Sequence, residues 1–431
     1  MRPLLNRMHK GHLVTEPPPD RRFRRLQARV FGLTWLSYAS YYFTRKNFSV
    51  VKSRLHDDLG VSVGMLGGID TLYLALYALG QFANGALGDR LGARRMIGLG
   101  MLASAAVSLA FGLGSNAVFF AVAFGLNGLF QATGWPGNVK AMGPWFPRRS
   151  RGMVMGIWAT NFQVGGLAAT AVATFLLVHY GWRSSFLVPA AWVALVGLLI
   201  FFFLVEKPED RGCRLPPETG DEPAAPAGDT PRARSPFGEM IREPALWILG
   251  GSYFGLKLIR YSLLFWLPFF LKTALGYSEG TAGYLSTAFE AGGIVGVIVV
   301  GMLADRFAAK NPIRLAAPIV FSLAGGFLLL RLAGPFGIWA VGASLGLIGF
   351  LLFGPDTLIS GAVAQNVGRN RATGSAAGLI NGLGSLGAVS QGLLTATVSQ
   401  TWGWNALFLF FVGFAVLSAL ALLPLARRSR F

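Results

Sequence analysis

Residues 184–205 read SSFLVPAAWVALVGLLIFFFLV, with no ionisable side chain between Arg183 and Glu206. A helix over such a stretch rises about 1.5 Å per residue and so covers the roughly 30 Å hydrocarbon core of a bilayer. Working outward, apolar blocks of similar length fall at 28–51, 63–87, 96–114, 117–143, 152–178, 184–205, 245–271, 280–304, 314–333, 336–364, 373–399 and 404–426. The composition agrees. Only 13% of the 431 residues are charged, against about a quarter in soluble domains, and mean hydropathy is +0.52. In hydrocarbon a crossing backbone must satisfy its own hydrogen bonds, so every block is predicted to be a helix. The 57 glycines suit close helix–helix contact. The expected fold is an all-α membrane protein with twelve transmembrane helices.

A net charge of +19 could suggest nucleic acid, but its placement argues for topology. Basic residues cluster in alternate loops: Arg90, Arg94 and Arg95; Arg148, Arg149 and Arg151; Arg306, Lys310 and Arg314; Arg369 and Arg371. Arg21, Arg22, Arg24 and Arg25 join them at one tail, and Arg427, Arg428 and Arg430 at the other. The opposite loops are short and nearly uncharged, as in Gly114-Ser115-Asn116. By the positive-inside pattern both termini are expected in the cytoplasm, as for a multi-pass inner-membrane protein with the lipid bilayer, not nucleic acid, as its partner. Residues 1–27 are basic without an apolar core and do not read as a cleaved signal. Cys213 is the sole cysteine, so no intramolecular disulfide or cysteine-rich metal site is expected, and no cofactor.

The chain divides in two. The stretch 206–244 is polar, with Pro216, Pro217, Pro223, Pro226, Pro231 and Pro236 among mixed charges, and reads as a cytoplasmic linker. It separates six spans in 28–205 from six in 245–426, with tails 1–27 and 427–431. Three landmarks recur in register. Gly85-x-x-x-Asp89-Arg90 returns as Gly301-x-x-x-Asp305-Arg306, 216 residues on (305 − 89). Gly181-Trp182 returns as Gly403-Trp404 (404 − 182 = 222), and Arg45 as Arg260 (260 − 45 = 215). Two six-helix bundles related by a pseudo-twofold axis account for this. Asp89 can cap or pair at a helix end while the arginines hold the loop at the inner surface. Asp89, Arg90, Asp305 and Arg306 are therefore candidate gating residues.

Charges inside spans are costly, at least about 2.5–3.5 kcal/mol each on insertion scales, and so mark cavities. Lys257 and Arg260 flank the middle of span seven, three apart and hence on one face. Arg45 and Lys46 lie nearer one end of span one, where snorkelling is the alternative. Tyr38, Tyr42 and Arg45 nevertheless fall at helical spacing and form a polar stripe. Glu290 in span eight and Asp356 in span ten are the balancing anions, either fixed counter-ions or partners that exchange with substrate. Gln81, Lys140, Asn161 and Gln163 add polar groups that alone read as packing contacts. Two guanidiniums from opposite halves match a tetrahedral oxyanion. The charges alone call for an organic anion, with phosphate, carboxylate and sulfonate all open.

The loop Gly85-Ala-Leu-Gly-Asp89-Arg90-Leu-Gly92-Ala-Arg94-Arg95 resembles the signature loop of the major facilitator superfamily. Several stretches resemble its organophosphate:phosphate antiporters: Tyr41-Tyr42-Phe-Thr-Arg45-Lys46-Asn47-Phe48, Gly134-Trp135-Pro136, Trp145-Phe146 with Arg151-Gly152, and Arg260-Tyr261-x-x-x-Trp266-x-Pro268. Phe353-Gly354-Pro355 and Gly374-Ser-Ala-Ala-Gly378 complete the set. The resemblance implies that Arg45 and Arg260 grip a phosphoryl group, that Glu290 is a counter-ion, and that the chain exchanges glycerol-3-phosphate or a sugar phosphate for inorganic phosphate, as a monomer, by rocker-switch motion. Lys257, Lys46, Tyr38, Tyr42 and Gln81 complete the expected substrate site. Departures from that family are Gln81 in place of a lysine, Phe162 in place of a histidine, Phe265 in place of an acid, and Lys257 in place of a tyrosine. They imply that a third cation has moved to span seven and that Asp356 neutralises Lys46. Two other functions remain: a membrane sensor of hexose phosphate, marked by binding without flux, and a proton-coupled organic-anion or drug exporter, marked by indifference to phosphate. With no nucleophile constellation, metal cluster or phosphate-cradling loop, an enzyme is not expected.

Overall fold

The computed structural model describes residues 21–146, 154–213, 243–308, 310–363 and 373–428. Arg148, Arg149, Arg151, Gly152, Arg369, Arg371, Arg430 and the linker prolines lie outside the described residues, as do the side chains of Asp89 and of 374–377.

The first span is a broken rod: α1 (Arg21–Tyr41), a 3-10 turn over Tyr42–Thr44, then α2 (Lys46–Leu59). The chain continues through α3 (Val63–Leu91), α4 (Ala93–Leu113), α5 (Ala117–Gln131), α6 (Gly134–Met142), α7 (Thr160–Tyr180) and α8 (Ser184–Phe203). The second half holds α9 (Pro244–Thr273), α10 (Glu279–Phe307), α11 (Ile313–Ala333), α12 (Ile338–Thr357), α13 (Thr373–Thr401) and α14 (Gly403–Ala426). Ten helices among the described residues are long and apolar enough to cross a membrane. The broken first span and α13 bring the crossings to twelve, with α5 and α6 forming one span. Local chemistry sets the ends. Asn116 accepts the Phe119 N–H at 2.8 Å and Ser278 the Thr281 N–H at 3.2 Å, capping α5 and α10. Large apolar side chains such as Leu113, Phe202 and Trp339 are exposed around the outside, where lipid is the solvent.

The repeat persists in the backbone. Gly181 and Gly403, 222 residues apart (403 − 181), both turn with φ above +80° between the fifth and sixth span of their halves. The signature loop is nearly absent: α3 runs through Leu91 and Gly92 alone, at φ +78°, turns the chain into α4. A Cβ at Gly92 would fall within 3.0 Å of the Glu206 carboxylate, whose Oε1 accepts the Arg94 N–H at 3.0 Å. Glu206, the first residue of the expected linker, thus sits against the start of α4, where a negative charge suits the helix dipole.

The break in span one is compensated from span four. Asn127 Nδ2 donates to the Thr44 carbonyl at 2.7 Å and Gln131 Nε2 to the Tyr41 carbonyl at 3.1 Å. These amides satisfy backbone groups that lipid could not. The break leaves Arg45 at the junction, facing inward.

Ties between the halves gather toward the end of the bundle away from the termini. Gly67 on α3 and Gly392 on α13 meet backbone to backbone, each within 3.0 Å of where the other's Cβ would stand. Beyond them, Arg54 Nε bonds Glu279 Oε2 at 2.8 Å, and Lys272 Nζ reaches Asp57 at 2.6 Å and Glu279 at 2.8 Å. Between these lies a contact made by a proline. Pro268 in α9 has no N–H to give the Leu264 carbonyl one turn back. That carbonyl instead accepts from Lys46 Nζ at 2.9 Å and Ser49 Oγ at 3.2 Å, both on the other half. The bundle is closed at this end.

Candidate functional site

Arg45 is buried, 4% exposed, although sequence left snorkelling open. Its Nε donates to Gln131 Oε1 at 2.9 Å, and its guanidinium faces the rings of Tyr42, Tyr77 and Tyr73 at 4.8, 5.0 and 5.9 Å. Tyr73 donates to the same Gln131 oxygen at 2.9 Å. The box of aromatic faces and one amide holds the cation without neutralising it. Nη2 is buried with no hydrogen-bond partner among the described residues. Tyr38 stands behind, packed edge-on to Tyr42 and against Trp135 and Trp158.

Across the interface, Arg260 Nη1 bonds Asp356 Oδ2 at 2.9 Å, while Arg260 Nε and Asp356 Oδ1 are buried without hydrogen-bond partners among the described residues. Its guanidinium faces Phe353 at 4.6 Å within its own half and Phe162 at 5.5 Å in the other. Asp356 is the penultimate residue of α12, just before a π-turn over Leu358–Val363, a distortion common at functional sites. The Tyr42 hydroxyl lies within electrostatic range of both guanidiniums.

The ion pairs differ from the expected assignment. Asp356 was expected to neutralise Lys46; instead Glu290 Oε1 stands 2.7 Å from Lys46 Nζ, and Asp356 serves Arg260. The packing gives the reason. α10 lies between α7 and α12, and Glu290 occupies its face toward α7, beside Gly166 and Tyr42, where span one passes. Asp356, on α12, is confined to its own half. The Lys46–Glu290 approach is bent, so Oε1 gains Coulomb attraction without an aligned hydrogen bond.

Lys257, 7% exposed, donates to Asn381 Oδ1 at 2.6 Å and lies 3.4 Å from Ser385 Oγ. Among the described residues no carboxylate is in ion-pair contact with it. Around the centre, among the described residues, four cations (Arg45, Lys46, Lys257, Arg260) therefore face two carboxylates (Glu290, Asp356), a surplus of two positive charges. A dianion would balance it.

Other predicted residues stand apart. Gln81 Nε2 donates to the Ala132 carbonyl at 3.3 Å, a packing contact. Arg90, Asp305 and Arg306 are exposed at the ends of α3 and α10, with Arg306 over the Phe307 ring at 5.2 Å. Asp89 lies on α3, its side chain outside the described set. Conversely, sequence reasoning passed over Tyr73, Tyr77, Gln131, Asn381 and Ser385. Tyr73 and Tyr77 share the α3 face with Gln81 at four-residue spacing, a stripe that could have been read. It also missed Lys52 and Asp70, which form a fully buried ion pair with the ammonium 3.8 Å over the Trp266 ring of the other half. Asp70 inside span two was the available signal; Lys52 was placed beyond the end of span one.

The model of the Major Facilitator Superfamily matches residues 34–392. The human "Glucose-6-phosphate exchanger SLC37A2" is 33% identical, the match covering 91% of this chain and 90% of that one. "Sugar phosphate exchanger 3" of Gallus gallus is 30% identical over 93% of this chain and 92% of its own. Among solved structures, a bacterial homologue of the human lysosomal transporter Spinster, in an inward-facing, occupied conformation, superposes with TM-score 0.70 at 17% identity. That match covers 96% of this chain and 99% of the other. A twelve-span bundle in two halves, with a surplus of buried cations where they meet, and relatives of this kind lead to one assignment: the chain belongs to the Major Facilitator Superfamily, where it is similar to sugar-phosphate exchangers.

Proposed function

We propose that this chain exchanges a small organophosphate, of the glycerol-3-phosphate or sugar-phosphate class, for inorganic phosphate by alternating access of its two halves. The observation that carries the reading is the unspent donor on each guanidinium, Arg45 Nη2 from one half and Arg260 Nε from the other. A phosphoryl group offers oxygens to both, and a charge of about −1.5 to −2 meets the surplus of two. To bind, it competes with Asp356 for Arg260. The freed carboxylate then has Lys257 in electrostatic range, which limits the cost of release. Without an anion the surplus cations repel one another and resist approach of the halves; with one, the halves rock around it. Either phosphate species does this, which makes the cycle an exchange.

The same reading divides the chain into bundles 28–205 and 245–426 joined by a cytoplasmic linker 206–244. It places both termini in the cytoplasm of an inner membrane, so the closed end faces outward, and it takes the monomer as the working unit. Proteoliposomes loaded with phosphate test it. Labelled glycerol-3-phosphate or glucose-6-phosphate should enter only when phosphate is inside. Uptake indifferent to internal phosphate refutes exchange.

A further inference from the structure

The four central cations are not equivalent. Lys46 has Glu290 and Arg260 has Asp356, and Arg45 rests in its aromatic box. Lys257 is held instead by neutral oxygens on α13, at the cost of stripping an ammonium of water without a counter-charge. The surroundings are shaped for this. A Cβ at Gly384 would stand 2.5 Å from the Tyr253 ring and 3.0 Å from Lys257 Cδ, so the glycine leaves room between α9 and α13 for the lysine stem and for the ring over which its ammonium lies at 5.0 Å. Ser385 spends its proton on the Asn381 carbonyl at 2.8 Å, which leaves its lone pairs for the ammonium. Asn381 gives Oδ1 to Lys257 and is itself exposed, and among the described residues no hydrogen bond occupies its Nδ2.

Lys257 also lies three residues from Arg260 on the same face, about 4.5 Å along the axis toward the terminal end. A phosphoryl group centred on Arg45 and Arg260 would thus present the next atoms of its ester to Lys257 and Asn381. Inorganic phosphate has no such atoms.

We infer that Lys257, positioned by Asn381 and Ser385, forms a second subsite that reads the carbon skeleton of the organophosphate through its hydroxyl or carbonyl oxygens. This inference rests on the exchange reading above and deepens it. Because the surplus of two charges is met by the phosphoryl group alone, the skeleton is uncharged: a phosphate monoester of a polyol or sugar, not of a carboxylic acid.

The test is competition in phosphate-loaded proteoliposomes. In the unaltered protein, glycerol-3-phosphate should displace labelled phosphate better than 3-phosphoglycerate, whose extra carboxylate overfills the site. The reverse order overturns the uncharged-skeleton assignment. In Asn381→Ala, the preference for glycerol-3-phosphate over inorganic phosphate should fall about 2- to 10-fold, the loss expected of a hydrogen bond between neutral groups. The ratio of the two ligands is insensitive to how much protein folds. An unchanged ratio means that Asn381 only packs, and overturns the subsite. Absence of phosphate-for-phosphate exchange in the unaltered protein would instead refute the exchange reading itself.

Discussion

Replacing Gly67 with alanine puts a methyl group into the place where the two halves touch. The added Cβ would lie within 3.0 Å of the Gly392 carbonyl, and close to Ala396 Cβ as well, leaving only backbone displacement as relief. Overpacking of this kind costs about 1–3 kcal/mol. The cost falls only on the arrangement closed at the end away from the termini, because the contact parts when that end opens. The equilibrium between the two arrangements should therefore shift about 5- to 150-fold toward opening at that end. Gly68, one residue on, has nothing within 4 Å of its would-be Cβ. Gly68→Ala gains the same helix propensity, about 1 kcal/mol, with no clash and no bias, and serves as the control. Spin labels at Tyr180 and Trp339, both exposed and both at the closed end of opposite halves, report the separation by double electron–electron resonance after Cys213 is replaced. The ligand-free Gly67→Ala protein should show a new long-distance population that Gly68→Ala lacks. Identical distributions in both variants would refute the view that this glycine pair defines the closed arrangement.

Arg260→Lys removes the planar fork and leaves a single ammonium opposite Asp356, so phosphate binding by calorimetry should become undetectable; retained binding would defeat the clamp. Lys52→Met strands Asp70 in a site with no exposure, at a cost of about 3–5 kcal/mol, whereas Lys52→Met with Asp70→Leu should recover most of the loss. Thermal unfolding followed by size-exclusion fluorescence distinguishes them, and equal destabilisation of the single and double variants would contradict the pairing. Pro268→Ala restores an N–H for the Leu264 carbonyl and draws it from Lys46 and Ser49. Thermal stability should rise while exchange slows, and an unaltered exchange rate would show that the carbonyl is not used in closure.

The twelve crossings were legible because lipid leaves the backbone few choices, so apolar length alone marks a helix. Arg45, Lys257, Arg260, Glu290 and Asp356 were legible for the matching reason that charge in such a setting is conspicuous. Partner choice was not. Whether Lys46 meets Glu290 or Asp356 depends on which face of α10 looks toward α7, and one sequence holds no record of that. Lys52 escaped because the first span does not end at Val51; α2 continues to Leu59. Nor did periodicity reveal the Tyr42–Thr44 break, since the groups that make it tolerable, Asn127 and Gln131, come from a distant span. The Trp266-x-Pro268 motif was visible, but its consequence, a carbonyl released to the opposite half, needs the neighbour that accepts it.

The two arginines descend from equivalent positions, yet their mountings have diverged. Arg260 is fixed midway along an unbroken 30-residue helix, whereas Arg45 sits at the joint of a fractured one, with φ −110°. One is an anvil and the other a wrist. Cargoes of unequal bulk can then be accommodated by flexing a single element, while the opposing jaw keeps a constant register with its counter-charge. Diversification toward new metabolites would accordingly be sought first in the neighbours of that joint, on the fourth span, and last in the rigid arm.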